Sequence, residues 1–247
     1  MLLLSNSIPK SGSTIMFSLQ KSFLEAVMGM NCVPEDKKVR DYEIAGGYVL
    51  RPSSTGFAKY ARKISAEEGS TFILKAHAIL NGKIGEAFLE SKGFHASLCV
   101  RDPLEIYYSA RANYQKTGEF QEFADVDSAC NMIDTFFRKI FQSSWNKKKE
   151  KDVRIVKYET IVQHPEQALM MSLPPEILEI AKERYSGKPT SDLEVVASFT
   201  NLDDANRMAL SRFNVGKVGT AKDFSSEADY EYIKRRLEEF REILRYA

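Results

Sequence analysis

The chain has 247 residues, 43% of them hydrophobic and 28% charged, which supplies a substantial core and excludes a peptide or a disulfide-stapled miniprotein. Its 35 Lys and Arg nearly cancel 34 Asp and Glu, and a net charge of +1 excludes a global field that draws in nucleic acid, so any anion site has to be built locally. The apolar run at 1–4 stops at Ser5-Asn6-Ser7, far short of a signal-peptide core or the roughly 20 residues that cross a bilayer, and the expectation is a soluble, cytoplasmic protein without a membrane partner.

Short apolar runs at 2–4, 71–74, 96–100 and 154–158, each bounded by turn residues, predict buried strands. After the first, Ile15, Met16, Leu19, Phe23 and Val27 recur at spacings of three and four and predict a helix that starts close to Gly12. Cys32, Cys99 and Cys130 lack C-x-x-C spacing, which disfavours a disulfide framework and a zinc site and leaves buried thiols. Gly46-Gly47 and Arg51-Pro52-Ser53-Ser54 read as turns, and 186–190 as another. The segment 131–145 carries Ile133, Phe136, Phe137, Ile140 and Phe141 on one helical face, and the charge run 146–152 behind it reads as a solvated loop. Tyr230, Ile233, Leu237, Phe240 and Leu244 give a C-terminal helix with a core-facing stripe, started by Ser226 and Asp229 as a weak capping box. Strand and helix alternate without a repeat or a linker, so the expected fold class is α/β, one domain over 1–247 with a mainly parallel β-sheet flanked by helices.

Between the first strand and its helix stands Ile8-Pro9-Lys10-Ser11-Gly12-Ser13-Thr14. Free backbone N–H groups and the helix dipole converge on such a turn and suit a phosphate, with Lys10 adding charge, Gly12 close approach, and the Ser11, Ser13 and Thr14 hydroxyls further donors. A G-x-x-x-x-G-K-[ST] nucleotide loop places its lysine after the second glycine, whereas Lys10 precedes the only one, a poor fit to an ordinary ATPase or kinase. Arg101-Asp102-Pro103 follows the 96–100 strand, with Ser109 eight positions after Arg101, and Asp102 with Pro103 also suits a helix cap and first helical residue. Of the three histidines only His77, in Ile73-Leu74-Lys75-Ala76-His77, lies at the C-terminal end of a predicted parallel strand, the edge where open α/β sheets bind ligands.

In this order the segments resemble the cytosolic-type sulfotransferases, a P-loop-like family that uses 3′-phosphoadenosine 5′-phosphosulfate (PAPS) and releases 3′,5′-adenosine bisphosphate (PAP). Residues 9–14 are similar to the family's Pro-Lys-Ser-Gly-Thr-Thr loop, and Lys75-Ala76-His77 to its Lys-Thr-His. The resemblance makes His77 the general base, Lys10 the cation at the bridging oxygen, Lys75 a partner of the sulfuryl or leaving-phosphate oxygens, and Arg101 with Ser109 the 3′-phosphate contacts. It also brings Tyr158 of Tyr158-Glu159 to the adenine and stacks Phe199 of Ala197-Ser198-Phe199 on it. Gly216 and Lys217, in Gly216-Lys217-Val218-Gly219, would close over the 3′-phosphate.

The chain departs from the pattern at Ile15, where the family has its adenine-stacking tryptophan, and at Asn214-Val215, where it has Arg-Lys. No dimer segment is recognisable, which leaves the oligomeric state open. The resemblance implies metal-independent sulfation of a hydroxyl or N–H on a small-molecule acceptor, and the chain, shorter than typical animal members, leads to the expectation of a compact bacterial-type enzyme of secondary metabolism. Glu43, Glu119, Asp125, Asp127, Asp203 and Asp204 could receive a cationic acceptor, although acids in loops are usually just solvated. The alternatives are a P-loop nucleotide kinase and a catalytically inactive module that binds adenosine bisphosphate.

Overall fold

The computed structural model describes residues 1–33, 43–44, 47–50, 55–77, 79–148, 150–187, 189–200 and 227–246, with the backbone alone at 43–44, 47–50 and 55–57. Six strands are described: β1 (Leu2–Ser7), β2 (Glu43–Ile44), β3 (Gly47–Leu50), β4 (Phe72–Ala76), β5 (Phe94–Val100) and β6 (Val153–Lys157). Their order is β2-β3-β4-β1-β5-β6, parallel from β3 to β6, with β2 antiparallel to β3 at one edge. The first strand thus lies at the centre with β4 on one side and β5 on the other, and α1 (Ser13–Met28) leaves from its carboxyl end.

The four expected strands carry apolar runs because helices cover both faces of the sheet, so alternate side chains enter two different cores. Leu2 and Leu4 of β1, Leu74 and Ala76 of β4, and Phe94, Ala96, Leu98 and Val100 of β5 pack into one core with the helices Gly82–Glu90, Pro103–Thr117 and Val126–Phe136. Leu3, Ile73, Cys99 and Val156 point the other way, into a second core with Phe23 and Val27 of α1 and the helices Pro165–Ser172, Pro175–Arg184 and Asp192–Phe199. All three cysteines are buried free thiols.

Several elements run beyond their predicted bounds. β1 continues through Ser5, Asn6 and Ser7, each at most 2% exposed, since pairing on both sides keeps the backbone extended where the side chains turn polar. Gly47, read as a turn, begins β3, which pairs Val49 with Lys75 and Leu50 with Ala76 of β4. The helix expected over 131–145 begins at Val126, where the Asp125 carboxylate accepts from Ser128 N at 2.8 Å, passes a π-helical turn at Phe137–Phe141 and ends at Lys148. The first residues of the charge run are therefore helical, with Lys147 and Lys148 at the negative end of the helix dipole. The C-terminal stripe is core as expected, Phe240 stacking on Phe137 at 4.9 Å, but its helix breaks at Leu237 into Glu227–Arg236 and Glu238–Ile243. Ser226, its expected cap, lies outside the described residues.

Candidate functional site at the carboxyl edge of the sheet

The turn after β1 is shaped by two residues with positive φ, Lys10 at 66° and Gly12 at 89°. A lysine there costs about 1–2 kcal/mol of backbone strain, which the neighbouring contacts hold in place. Gly12 is the N-cap of α1 and the helix start has no side-chain cap, so the first N–H groups of a 16-residue helix open into the turn. The Ser11 hydroxyl lies 2.6 Å from the Ile8 carbonyl and 2.8 Å from that of Cys99, and its hydrogen is committed to them. Ser11 therefore anchors the loop to β5 and does not offer the anion donor expected of its side chain.

Lys75, at the end of β4, donates to Thr14 Oγ1 at 2.8 Å, placing a second ammonium at the first turn of α1. The Lys10 ammonium lies 5.1 Å from the centre of the Phe120 ring, and burial lowers its pKa, opposed by the charge of Glu119. One ammonium, that of Lys75, thus stands at the helix start, while that of Lys10 lies in the turn after β1 against Phe120.

His77 follows β4. Its Nδ1 is 2.8 Å from the Ser7 carbonyl oxygen and 3.0 Å from Ser7 Oγ. A carbonyl can only accept, so Nδ1 carries the hydrogen and Nε2 keeps the lone pair. Burial pushes the imidazole pKa down to about 4, the Ser7 hydrogen bond opposing and the Lys75 charge assisting, which leaves the ring neutral near pH 7 with its lone pair at Nε2.

Arg101 directly follows β5 and is 7% exposed. Its guanidinium donates to Glu105 at 3.1 Å and stacks 4.3 Å from the centre of the Tyr158 ring. Asp102 and Pro103 form the helix start anticipated for them, the Asp102 carboxylate accepting from Leu104 N at 2.9 Å. Tyr158 opens the helix after β6, and its ring lies so close to Gly12 that a β-carbon there would stand 2.3 Å from Tyr158 Cδ2. The turn after β1 and the residue after each of β4, β5 and β6 thus contribute to one edge, and Tyr158 joins the turn after β1 to Arg101.

Of the remaining expected residues, Ser13 opens α1, and Ser109 is half-buried two turns along the helix from Arg101, joining none of these hydrogen bonds. Phe199 packs edge-on against Phe23 of α1 at 6.1 Å, within the second core. Gly216 and Lys217, with Asn214 and Val215, lie outside the described residues, as do Asp203 and Asp204. Asp125 caps a helix, and Asp127 accepts from Tyr232 at 2.6 Å and from Arg236 at 3.0 Å.

Ser7, Phe120 and Glu105 belong to the site without having been singled out. Glu105 was within reach as an i,i+4 partner of Arg101 at a predicted helix start. The part played by Ser7 depends on how β1 registers against β4, with Asn6 opposite Ala76, and nothing local in the sequence encodes that. Beside Lys10 a small pocket is lined by Pro9, Ile106, Ala110, Phe120, Phe123 and Phe136, apart from the ammonium a wholly apolar wall.

No protein-family model matches the chain, and no curated protein matches it in sequence. Among solved structures it is similar to retinol dehydratase in complex with androsterone and the inactive cofactor PAP, with a TM-score of 0.53, 13% identity, and coverage of 96% of this chain and 79% of that one. A structure of retinol dehydratase with retinol and PAP gives a TM-score of 0.52 at 13% identity, covering 96% of this chain and 80% of that one. At this identity the likeness is one of fold: an α/β domain with a mainly parallel sheet flanked by helices, shared with those structures.

Proposed function

We propose that the protein is a PAPS-dependent sulfotransferase that moves a sulfuryl group to a hydroxyl or N–H of a small molecule, with His77 as general base. The observation that carries this reading is the convergence on one sheet edge of an uncapped helix N-terminus, the lysines Lys10 and Lys75, a neutral imidazole and the Arg101–Tyr158 pair. The residues fit the donor: backbone N–H groups and two ammonium groups suit a 5′-phosphosulfate, and a guanidinium on a tyrosine face suits a phosphorylated nucleoside. The solved neighbours that share the fold hold PAP, which supports the same reading.

PAPS supplies the sulfuryl group. His77 Nε2 takes the acceptor proton as the new O–S or N–S bond forms. Lys10 stabilises charge on the bridging oxygen as the old S–O bond breaks, and Lys75 steadies the sulfuryl or phosphate oxygens. Arg101 selects for the 3′-phosphate, which ATP lacks, with Ser109, Gly216 and Lys217 as further contacts and Phe199 on the adenine.

Titrating the protein with PAP, 5′-AMP and magnesium ATP, and then supplying labelled PAPS with a panel of small alcohols, phenols and amines, tests the reading. Tight PAP binding and label transfer are expected. Magnesium-dependent ATP turnover without PAP affinity would instead identify a nucleotide kinase, and PAP binding without transfer to any acceptor an inactive module. Lys10→Ala is expected to lower donor affinity and turnover together, each by about tenfold or more; unchanged values would remove Lys10 from the phosphate site.

A further inference from the structure

The C-terminal end of the described chain closes on the two turns that carry Arg101 and Tyr158. Arg241 Nε lies 3.1 and 3.2 Å from the two carboxylate oxygens of Asp102, and Arg241 Nη2 donates to the Tyr246 carbonyl at 2.7 Å. The Tyr246 hydroxyl donates to Glu159 Oε2 at 2.5 Å. Lys157 Nζ donates to the Arg245 carbonyl at 3.1 Å and stands 4.2 Å from the centre of the Tyr246 ring. A positive φ of 58° at Arg245 turns the chain back after the helix Glu238–Ile243, and Phe240 and Leu244, both buried, anchor that helix in the core.

Asp102 directly follows Arg101, and Lys157 and Glu159 flank Tyr158. The residues held by the C-terminal segment are thus the immediate neighbours of the guanidinium and of the ring it stacks on. The Arg241 and Asp102 side chains are only 12% and 14% exposed, so salt screens this pair less than a surface ion pair. A planar guanidinium recognises phosphate through paired N–H groups, and this depends on the angle at which the fork is presented.

We propose that residues 241–246 form a clasp that orients Arg101 and Tyr158 for the 3′-phosphate end of the donor, with Arg241, Tyr246 and Glu159 as positioning residues. This rests on the donor reading given above. The clasp bonds to the turns after β5 and β6, whereas the 5′ end of the donor belongs to the loop after β1. Loosening it therefore weakens recognition of the 3′-phosphate more than recognition of the 5′-phosphate, which the clasp reaches only through the Tyr158 ring on Gly12.

The experiment compares calorimetric binding of PAP and of 5′-AMP, which lacks the 3′-phosphate, to the wild-type chain and to Tyr246→Phe, Glu159→Gln and Arg241→Lys, with thermal melts to verify folding. In the wild type PAP binds more tightly than 5′-AMP. In the variants PAP affinity falls about fivefold or more while 5′-AMP affinity falls much less, so the preference for the 3′-phosphate shrinks. A folded Tyr246→Phe or Glu159→Gln protein that retains the full preference, or loses both ligands equally, overturns the clasp and leaves the donor reading intact. A wild-type chain without a preference for PAP overturns the donor reading and the clasp with it.

Discussion

His77→Ala is expected to slow sulfuryl transfer by about 10²- to 10⁴-fold while PAP still binds, because in the proposed reaction the ring acts on the acceptor proton and other groups hold the donor. The Ser7 carbonyl fixes Nδ1 as the protonated nitrogen, so the imidazole is committed to accepting at Nε2 before any acceptor arrives. Burial holds its pKa near 4, below the ordinary imidazole value, so the neutral form persists through mildly acidic solution and is lost only as pH falls through the folded value. The rate should stay flat from neutral pH well below 6.5, and ring-proton NMR of the unliganded protein should show His77 titrating below the usual imidazole range. The same shift makes stability depend on pH: the unfolded imidazole protonates near its ordinary value while the folded one stays neutral, so this contribution is complete above 6.5 and declines between there and about 4. Near-normal transfer by the alanine variant would remove His77 from the base role, and an ordinary titration near 6.5 would contradict its burial.

The sequence exposed the sheet more readily than the site's supporting contacts. Four strands announced themselves because each is buried on both faces and so reads as an apolar run, and α1 did so through its spacings of three and four. β3 did not, because Gly47 resembles a turn residue, and the register that makes it a strand comes from β4, some 25 positions downstream. The polar end of β1 was invisible for a related reason: Ser5 and Ser7 look like the close of a strand, and only pairing with β4 and β5 keeps them extended. Lys10, Lys75, His77, Arg101 and Tyr158 could be picked out because each stands at the end of a strand or opens the next turn, where chemistry-bearing residues cluster in parallel α/β sheets. Their partners could not. Ser7 against His77, Cys99 against Ser11 and Tyr158 over Gly12 are contacts between residues about 70 to 150 positions apart, set by strand order rather than by any local pattern. Ser11 shows the limit of reading composition: a serine in a phosphate-like loop promises a donor, yet its hydroxyl is spent fastening the loop to β5.

Gly12→Ala is expected to damage fold and donor binding together. At φ 89° an alanine meets left-handed strain, and its β-carbon would stand 2.3 Å from Cδ2 and 2.8 Å from Cε2 of Tyr158. The ring cannot easily retreat, since Tyr158 is 4% exposed and the Arg101 guanidinium stacks on it at 4.3 Å. Strain and overpacking together should cost about 2–4 kcal/mol, a fall in Tm of roughly 5–15 °C for a chain of this length. PAP affinity should fall by about tenfold or more, because displacing the ring also moves the guanidinium it supports. A double-mutant cycle with Tyr158→Ala separates the two costs: with the ring gone the collision vanishes, and introducing alanine at Gly12 should then cost only the backbone strain of about 1–2 kcal/mol. Additive losses would mean that the ring and the glycine are not in contact. A Gly12→Ala protein that melts with the wild type and binds PAP as tightly would show that the phosphate loop has room to spare, and the close approach of Tyr158 that joins its two halves would no longer describe the site.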